Sequence, residues 1–232
     1  AKAHDLILIE DAAESFGAKL KKKLTGTFGD SAIFSFCQNK VFTTSEGGAV
    51  VTNDSDLAEK VRLFRSYGRV MSGDYFSSSG DIDYVEAGYN LRMSTILAAL
   101  GISQLNRVND LITMRRKNAL YLNNRLSDVK GLMPPKPPSN EFFCVYQMYT
   151  IRVKEGTKKR NELMQHLKDR GITSKVYFDP IHKYSIFQEL GYGSVKLPTT
   201  ELLASEVLTL PMYPHMTKDE LDYILEAVIE FF

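Results

Sequence analysis

The sequence predicts an α/β protein with a mainly parallel sheet, followed by a smaller α+β part, and three observations carry that prediction. Leu6-Ile7-Leu8-Ile9 is an all-apolar run of the kind found in strands of parallel sheets buried on both faces. Ala32, Ile33, Phe34 and Phe36 form a second run of strand length, and Leu57, Val61 and Phe64 then recur at helical spacing. Beyond Pro134-Pro135-Lys136-Pro137-Pro138, a stiff polyproline-like connector, the alternation of elements changes to an α+β rhythm. The expected division is therefore residues 1–133 and 139–232.

Taken in order, the first apolar run ends in Glu10-Asp11-Ala12-Ala13-Glu14, so carboxylates cluster at the carboxyl end of a strand, where open α/β sheets bind ligands. A buried central strand with no element before it is unusual, and the chain is expected to begin inside a larger protein. Lys19 to Lys23, KLKKK, reads as a solvated hairpin tip, and Gly26-Thr27-Phe28-Gly29-Asp30 is turn material. The aromatic strand then turns polar at Cys37-Gln38-Asn39-Lys40, and Ser45-Glu46-Gly47-Gly48 closes a loop before a strand over Ala49 to Thr52. Asn53-Asp54-Ser55-Asp56 starts a helix with Leu57, Val61 and Phe64 on its buried face. Val70 to Asp83 is rich in Gly, Ser and Asp and reads as a long loop.

A helix is expected from about Ile96 to Leu105, with small Ala98, Ala99 and Gly101 allowing close packing. A longer one spans Val108 to Leu126, with Arg115, Arg116 and Lys117 on its wet side. Past the prolines, Val145 to Val153 and Ile172 to Phe178 read as strands around a helix over Lys158 to Arg170 closed by Gly171. Leu208 to Pro211 reads as a short strand, and Thr217 caps a terminal helix with Glu220 completing a capping box.

Composition excludes several classes of function. The 232 residues are 44% hydrophobic and 25% charged, as in ordinary globular proteins, which sets aside disorder and fibrous repeats. A formal net charge of +1 gives no overall field for nucleic acid or an anionic membrane. Cys37 and Cys144 lie far apart and match no metal spacing, which fits a reducing cytoplasm and argues against a zinc or iron site. No apolar run approaches the length needed to span a bilayer.

Lys40, at a strand end between buried elements, has two readings: a snorkelling loop lysine, or an amine partly desolvated so that it acts as a nucleophile. Asp11 and Lys40 at strand ends of one sheet are the pair that pyridoxal phosphate chemistry needs, a Schiff-base amine and a carboxylate for the ring nitrogen. They could equally form a structural ion pair, and composition does not decide between the two.

The blocks Glu10-Asp11-Ala12-Ala13, Gly29-Asp30, Ser35-Phe36 with Lys40 five positions after the serine, and Glu46-Gly47-Gly48 recur in order with four more. These are Gly88-Tyr89-Asn90-Leu91-Arg92-Met93, Ala98-Ala99 with Gln104-Leu105, Pro180-Ile181-His182 and Leu210-Pro211. In that order and spacing, from Leu8 to the final helix, the chain resembles the pyridoxal-phosphate-dependent sugar aminotransferases of the DegT/StrS family. The resemblance implies part of a fold type I large domain over 1–133 and a small C-terminal domain over 139–232. It implies transfer of an amine from an amino acid such as glutamate to a nucleotide-linked keto sugar, through pyridoxamine phosphate, in polysaccharide, lipopolysaccharide or glycan biosynthesis. A cytoplasmic homodimer with shared active sites is part of the same implication.

Carried over by resemblance, Lys40 is the Schiff-base lysine and proton carrier, and Asp11 pairs with the pyridinium nitrogen. Ser35 donates to the cofactor phosphate, Asn90 reaches the phosphate of the neighbouring subunit's cofactor, and Arg92 and His182 lie near the substrate. The chain departs from the family's usual pattern at Glu14, where most members have glutamine beside the ring hydroxyl and some perosamine synthase-like members have glutamate. It also lacks a counterpart of the family's N-terminal part, which brings a phosphate loop and a stacking aromatic. That absence motivates a rival reading, a truncated non-catalytic relative that binds a partner or regulates it.

Overall fold

The computed structural model describes residues 1–71, 82–136, 139 and 141–232. The chain groups into two units, Ala1–Asp110 with Asn140–Val145, and Leu111–Ser139 with Tyr146–Phe232. The long helix therefore counts with the second unit from Leu111 onward.

In the first unit, β1 (Ile9–Asp11) is the edge of a three-stranded sheet. A hairpin of β2 (Lys19–Leu20) and β3 (Lys23–Leu24) follows, turned by Lys21 and Lys22 in left-handed conformation, so the basic run is the hairpin tip expected of it. Phe142–Phe143 pairs along the other side of β2. The central strand β4 (Ser31–Ser35) runs parallel to β1 and antiparallel to β5 (Gly48–Thr52). The sheet is thus half parallel within this chain.

The apolar start departs from its expected burial. The ladder begins only at Ile9, and the side chains before it stay exposed, Leu6 at 62% and Ile7 at 81%. The reason is position: β1 is an edge strand, and no described element covers it. Leu8 is held by Asp30 instead, whose carboxylate accepts from its N–H at 2.8 Å and whose own N–H donates to its carbonyl at 2.8 Å.

Asp54 caps α1 (Ser55–Phe64), accepting from the N–H groups of Asp56 and Leu57. Its apolar stripe is only partly covered, and Phe64 is exposed. Of the expected Val70–Asp83 loop, residues 72–81 lie outside the described residues. Its ends are not loop: β6 (Arg69–Met71) and β7 (Ile82–Tyr84) form an antiparallel pair. After β7 the Gly88-Tyr89-Asn90 stretch closes the end of α1. Tyr89 N–H donates to the Phe64 carbonyl at 2.7 Å and Leu91 N–H to that of Arg65 at 2.9 Å, satisfying carbonyls that a helix end leaves open. The chains approach so closely that a Cβ on Gly88 would lie 2.5 Å from Gly68 N, which is why glycine stands there. Ser94 then caps α2 (Thr95–Leu105), whose Gly101 packs against Thr44.

In the second unit, α3 (Val108–Leu126) has the expected bounds, but Arg115 is not on a wet side. It is 6% exposed, and its guanidinium donates to the carbonyls of Tyr146, Gln147 and Met212. Burial pulls it down to about 10, still a cation at neutral pH. Between β8 (Leu132–Met133) and β10 (Tyr149–Val153) lies the Phe142–Phe143 strand, β9, already placed with the first unit. The expected Val145–Val153 strand is cut short because Tyr146 sits at φ 50, outside strand geometry.

α4 (Thr157–Asp169) ends as expected at Gly171, where Ile172 N–H reaches back to the Leu167 carbonyl at 2.9 Å. The Ile172–Phe178 strand does not form. Only Lys175 bridges to Thr209, and Pro211, which faces Thr173 in that register, has no N–H to extend the ladder. Two helices unforeseen in the sequence, α5 (Ser185–Glu189) and α6 (Pro198–Glu206), precede β11 (Val207–Leu210), which pairs antiparallel with β10. The terminal helix α7 (Lys218–Phe231) carries the Thr217–Glu220 capping box. The core of this unit gathers Leu122, Leu126, Ile151, Leu163, Leu208 and Val228 from five elements. Among the described residues no helix is long and apolar enough to cross a membrane.

Candidate active site

The sheet of the first unit delivers the candidate residues to one edge. β1 and β4 are parallel, so their carboxyl ends coincide, and Asp11 ends one as Ser35 ends the other. Asp11 is opposite Ile33, which puts its side chain on the face shared by Ile33 and Ser35. Asp11 Oδ1 accepts from Ala13 N–H at 3.1 Å, and Ser35 Oγ from Cys37 N–H at 3.3 Å.

From Ser35 the chain makes a closed loop that carries Lys40. Phe36 N–H donates to the Gly47 carbonyl at 2.9 Å and Thr44 N–H to the Phe36 carbonyl at 3.0 Å, so both feet of the loop are tied together. Val41 and Phe42 are buried and anchor it from beneath. Phe42 stacks on Phe16, centroids 4.7 Å apart and 16° between planes, and meets Phe36 edge-on at 4.7 Å. Phe34 also meets Phe16 edge-on, at 5.2 Å. Each such pair is worth about 0.5–1.5 kcal/mol beyond its burial.

Lys40 lies two residues before Phe42, and Glu14 two before Phe16. The stack therefore brings them together: Lys40 Nζ donates to Glu14 Oε1 at 2.8 Å, with the lysine side chain 14% exposed and the glutamate 45%. Asp11, Ser35, Lys40 and Glu14 thus share one neighbourhood of one unit. The direct Lys40–Glu14 contact was not foreseen in the sequence; its only signal there is a carboxylate and a lysine each set two positions before a phenylalanine.

Glu10, beside Asp11, has a different duty. Its carboxylate accepts from the N–H groups of Gly26 and Gly29 at 2.8 Å each, and from that of Phe28. Burial opposes its ionisation, but these donors and the nearby charge of Lys23 outweigh it and hold the group below the ordinary carboxylate range. A carboxylate lowered on folding adds stability above its unfolded value and loses it as pH falls through the folded one. Glu10→Gln is expected to lower stability at neutral pH by about 1–2 kcal/mol and to flatten the acid limb of a plot of denaturation midpoint against pH. An acid limb of unchanged steepness would show that Glu10 is not its source.

The other expected residues are elsewhere. Asn90 is exposed, and Arg92 rests over the ring of Tyr67 at 5.0 Å. Among the described residues neither is bonded to the Lys40–Glu14 pair. His182 belongs to the second unit, where it is buried and its Nε2 lies 3.1 Å from Glu201 Oε1. Glu201 also accepts from Leu197 N–H, and with His182 and Lys183 as further partners it is held at about 2. A cavity of 1380 Å³ runs along β5 and α1, lined in part by Val50, Phe64, Leu91 and Arg92 but not by Lys40 or Asp11. It marks where the apolar face of the sheet is uncovered. Among the described residues no cluster of three or more His, Cys, Asp or Glu side chains could hold a metal ion.

Known proteins bear on this arrangement. A profile of the DegT/DnrJ/EryC1/StrS aminotransferase family matches residues 1–229. A GDP-perosamine synthase of Escherichia coli O157:H7 is 36% identical over 233 residues, covering all of this chain and 60% of that protein. Helicobacter pylori PseC, an aminotransferase involved in the biosynthesis of pseudoaminic acid, superposes with a TM-score of 0.89 at 30% identity. That match covers 100% of this chain and 61% of that one. A sugar aminotransferase from Streptococcus pneumoniae in its PLP form gives a TM-score of 0.87 at 25% identity, over 97% of this chain and 57% of that one. The chain spans about 60% of the length of the curated relatives it matches.

Proposed function

The chain belongs to the DegT/DnrJ/EryC1/StrS aminotransferase family, with the fold of its PLP-dependent aminotransferases, and from that we propose that it carries the lysine-bearing part of a sugar aminotransferase. Its substrate is a nucleotide-linked keto sugar, its donor an amino acid such as glutamate, and its cofactor pyridoxal phosphate. The observation that carries the reading is Lys40, a largely enclosed amine five residues past Ser35, beside the strand ends of Asp11 and Ser35 and 2.8 Å from Glu14.

The residues fit the cofactor in their donor set. Lys40 offers an amine for its aldehyde, Asp11 a carboxylate for its ring nitrogen, Glu14 a polar contact at its ring hydroxyl, and Ser35 a hydroxyl for its phosphate. Asn90 serves the phosphate of a neighbouring subunit in a homodimer, and Arg92 and His182 serve the sugar nucleotide. When bound, pyridoxal phosphate supplies an electron sink for the charge left at a carbon that loses its proton. Asp11 keeps a positive charge opposite itself and so supports that sink. Lys40 Nζ takes the proton from the donor's α-carbon and, in the second half of the reaction, delivers one to the sugar carbon that receives the amine.

The test supplies the full chain with pyridoxal phosphate, glutamate and a panel of nucleotide-linked keto sugars. Expected are an amino sugar nucleotide and an equal amount of 2-oxoglutarate by mass spectrometry. Turnover of glutamate with no sugar in the panel aminated would overturn the assigned acceptor class.

A further inference from the structure

We propose that Glu14 is a positioning residue that holds Lys40 Nζ as a paired ammonium in the cofactor-free chain and governs how readily that amine reacts. The proposal rests on the reading of Lys40 as the reactive amine, and it concerns a residue that acts through Lys40.

Three features carry it. The contact is a charge-assisted hydrogen bond of 2.8 Å, the strong kind. Its partners differ in exposure, 14% for the lysine side chain and 45% for the glutamate, so the amine is tucked in and the carboxylate stands towards solvent. And the pair is pre-set by the backbone, because the Phe16–Phe42 stack fixes the positions two residues along from each partner. An exposed ion pair loses most of its worth to the ordering of two long side chains; here much of that ordering is already done. The titratable groups on the two segments that meet are Asp11 and Glu14 on one, and Cys37, Lys40 and Glu46 on the other. Cys37 Sγ is turned to Glu46 Oε1 at 3.7 Å, and among the described residues Glu14 is the only carboxylate within ion-pair distance of Lys40.

An ammonium is not a nucleophile. For Lys40 to condense with a carbonyl compound, its proton must leave for Glu14 or water, the nitrogen must add to the carbonyl carbon, and the carbonyl oxygen must depart as water. Glu14 is both the brake on the first event and the nearest acceptor for that proton.

The experiment pulses the cofactor-free full chain with acetic anhydride at neutral pH and reads acetylation of Lys40 by peptide mass, with exposed Lys22 as internal reference. Glu14→Gln is expected to raise the Lys40 to Lys22 ratio about twofold to fivefold, and Glu14→Asp to return it towards the wild-type value. A glutamine keeps the size and a hydrogen bond, so a merely structural role predicts no change, and an unchanged ratio overturns the proposal. Should Glu14→Gln fail to fold by circular dichroism, Glu14→Ser decides, since it too removes the carboxylate and must raise the same ratio. An unchanged ratio in that variant is then the overturning result. Failure of Lys40 as the cofactor-bearing amine is read separately, by borohydride capture of pyridoxal phosphate on the Lys40 peptide.

Discussion

Replacing Lys40 with arginine is expected to abolish covalent capture of pyridoxal phosphate and to lower sugar amination at least about 10³-fold, while leaving the fold intact. The substitution separates chemistry from structure. A guanidinium keeps a cation for Glu14, but it stays protonated and does not condense with an aldehyde. The ion pair it preserves is partly exposed, 14% on one side and 45% on the other, so its loss would cost only about 1 kcal/mol in any case. The denaturation midpoint of Lys40→Arg is therefore expected within 2–3 °C of wild type, a shift of about the size 1 kcal/mol produces.

The measurement is borohydride reduction of the chain after incubation with pyridoxal phosphate, followed by peptide mass analysis. Wild type should carry the added mass on the peptide holding Lys40, and Lys40→Arg should carry none there. In Lys40→Ala, added methylamine is expected to restore part of the turnover, because a small free amine can occupy the space and move the proton. Capture at Lys19 to Lys23 in place of Lys40 would sink the assignment, since those exposed lysines are the natural competitors for an aldehyde.

How much of this was legible in the sequence depends on the kind of signal. Local chemistry read well: Asp54, Thr217 with Glu220, the KLKKK tip and the bounds of the long helix all follow from groups a few residues apart, and the structure has them. The order of motifs from Glu10 to Leu210 identified the family because many weak spacings agree at once. What failed was whatever depends on neighbours far along the chain. The Ile172–Phe178 run has strand composition, but a strand exists only if a partner pairs with it, and only Lys175 bridges to Thr209, with Pro211 lacking the N–H that would extend the pairing at the Thr173 end. Leu6 to Ile9 has the composition of a doubly buried strand, yet burial needs elements on both faces, and among the described residues these side chains stay exposed. α6 did leave a trace, Pro198 at its first turn, but its mixed composition gave no helical stripe to go with it. At the candidate site, Lys40 and Asp11 were visible as strand-end residues, whereas the Glu14 contact is made by an aromatic stack and so is a tertiary fact.

Arg115 is where this limit has its largest energetic consequence. In the sequence it stands in Arg115-Arg116-Lys117, a charged run that reads as a solvated helix face. In the structure, Arg115 is turned inward and Lys117 outward, as their separation by two positions on a helix requires. The guanidinium binds the carbonyls of Tyr146 at 3.1 Å, Gln147 at 3.4 Å and Met212 at 3.0 Å, and so ties α3 to the turn before β10 and to the segment after β11. One of those carbonyls belongs to Tyr146, whose φ of 50 is unfavourable for a residue with a side chain and is held by what surrounds it. Asn118, one turn on, adds bonds to the carbonyls of Tyr213 and Pro214, at 2.9 and 3.1 Å.

Removing the guanidinium leaves buried carbonyls without donors, at about 1–3 kcal/mol for each one that water cannot reach. Arg115→Ala is accordingly expected to destabilise the chain by about 3–5 kcal/mol. Arg115→Lys should recover part of that loss, since an ammonium can serve some of these acceptors but lacks the planar fork. Lys117→Ala, two positions along the same helix and exposed, should stay within about 0.5 kcal/mol of wild type. Urea denaturation of the three variants checks the ranking. If Arg115→Ala and Lys117→Ala unfold at the same urea concentration, the guanidinium is not the tie between α3 and these segments, and the carbonyls it covers must find water instead.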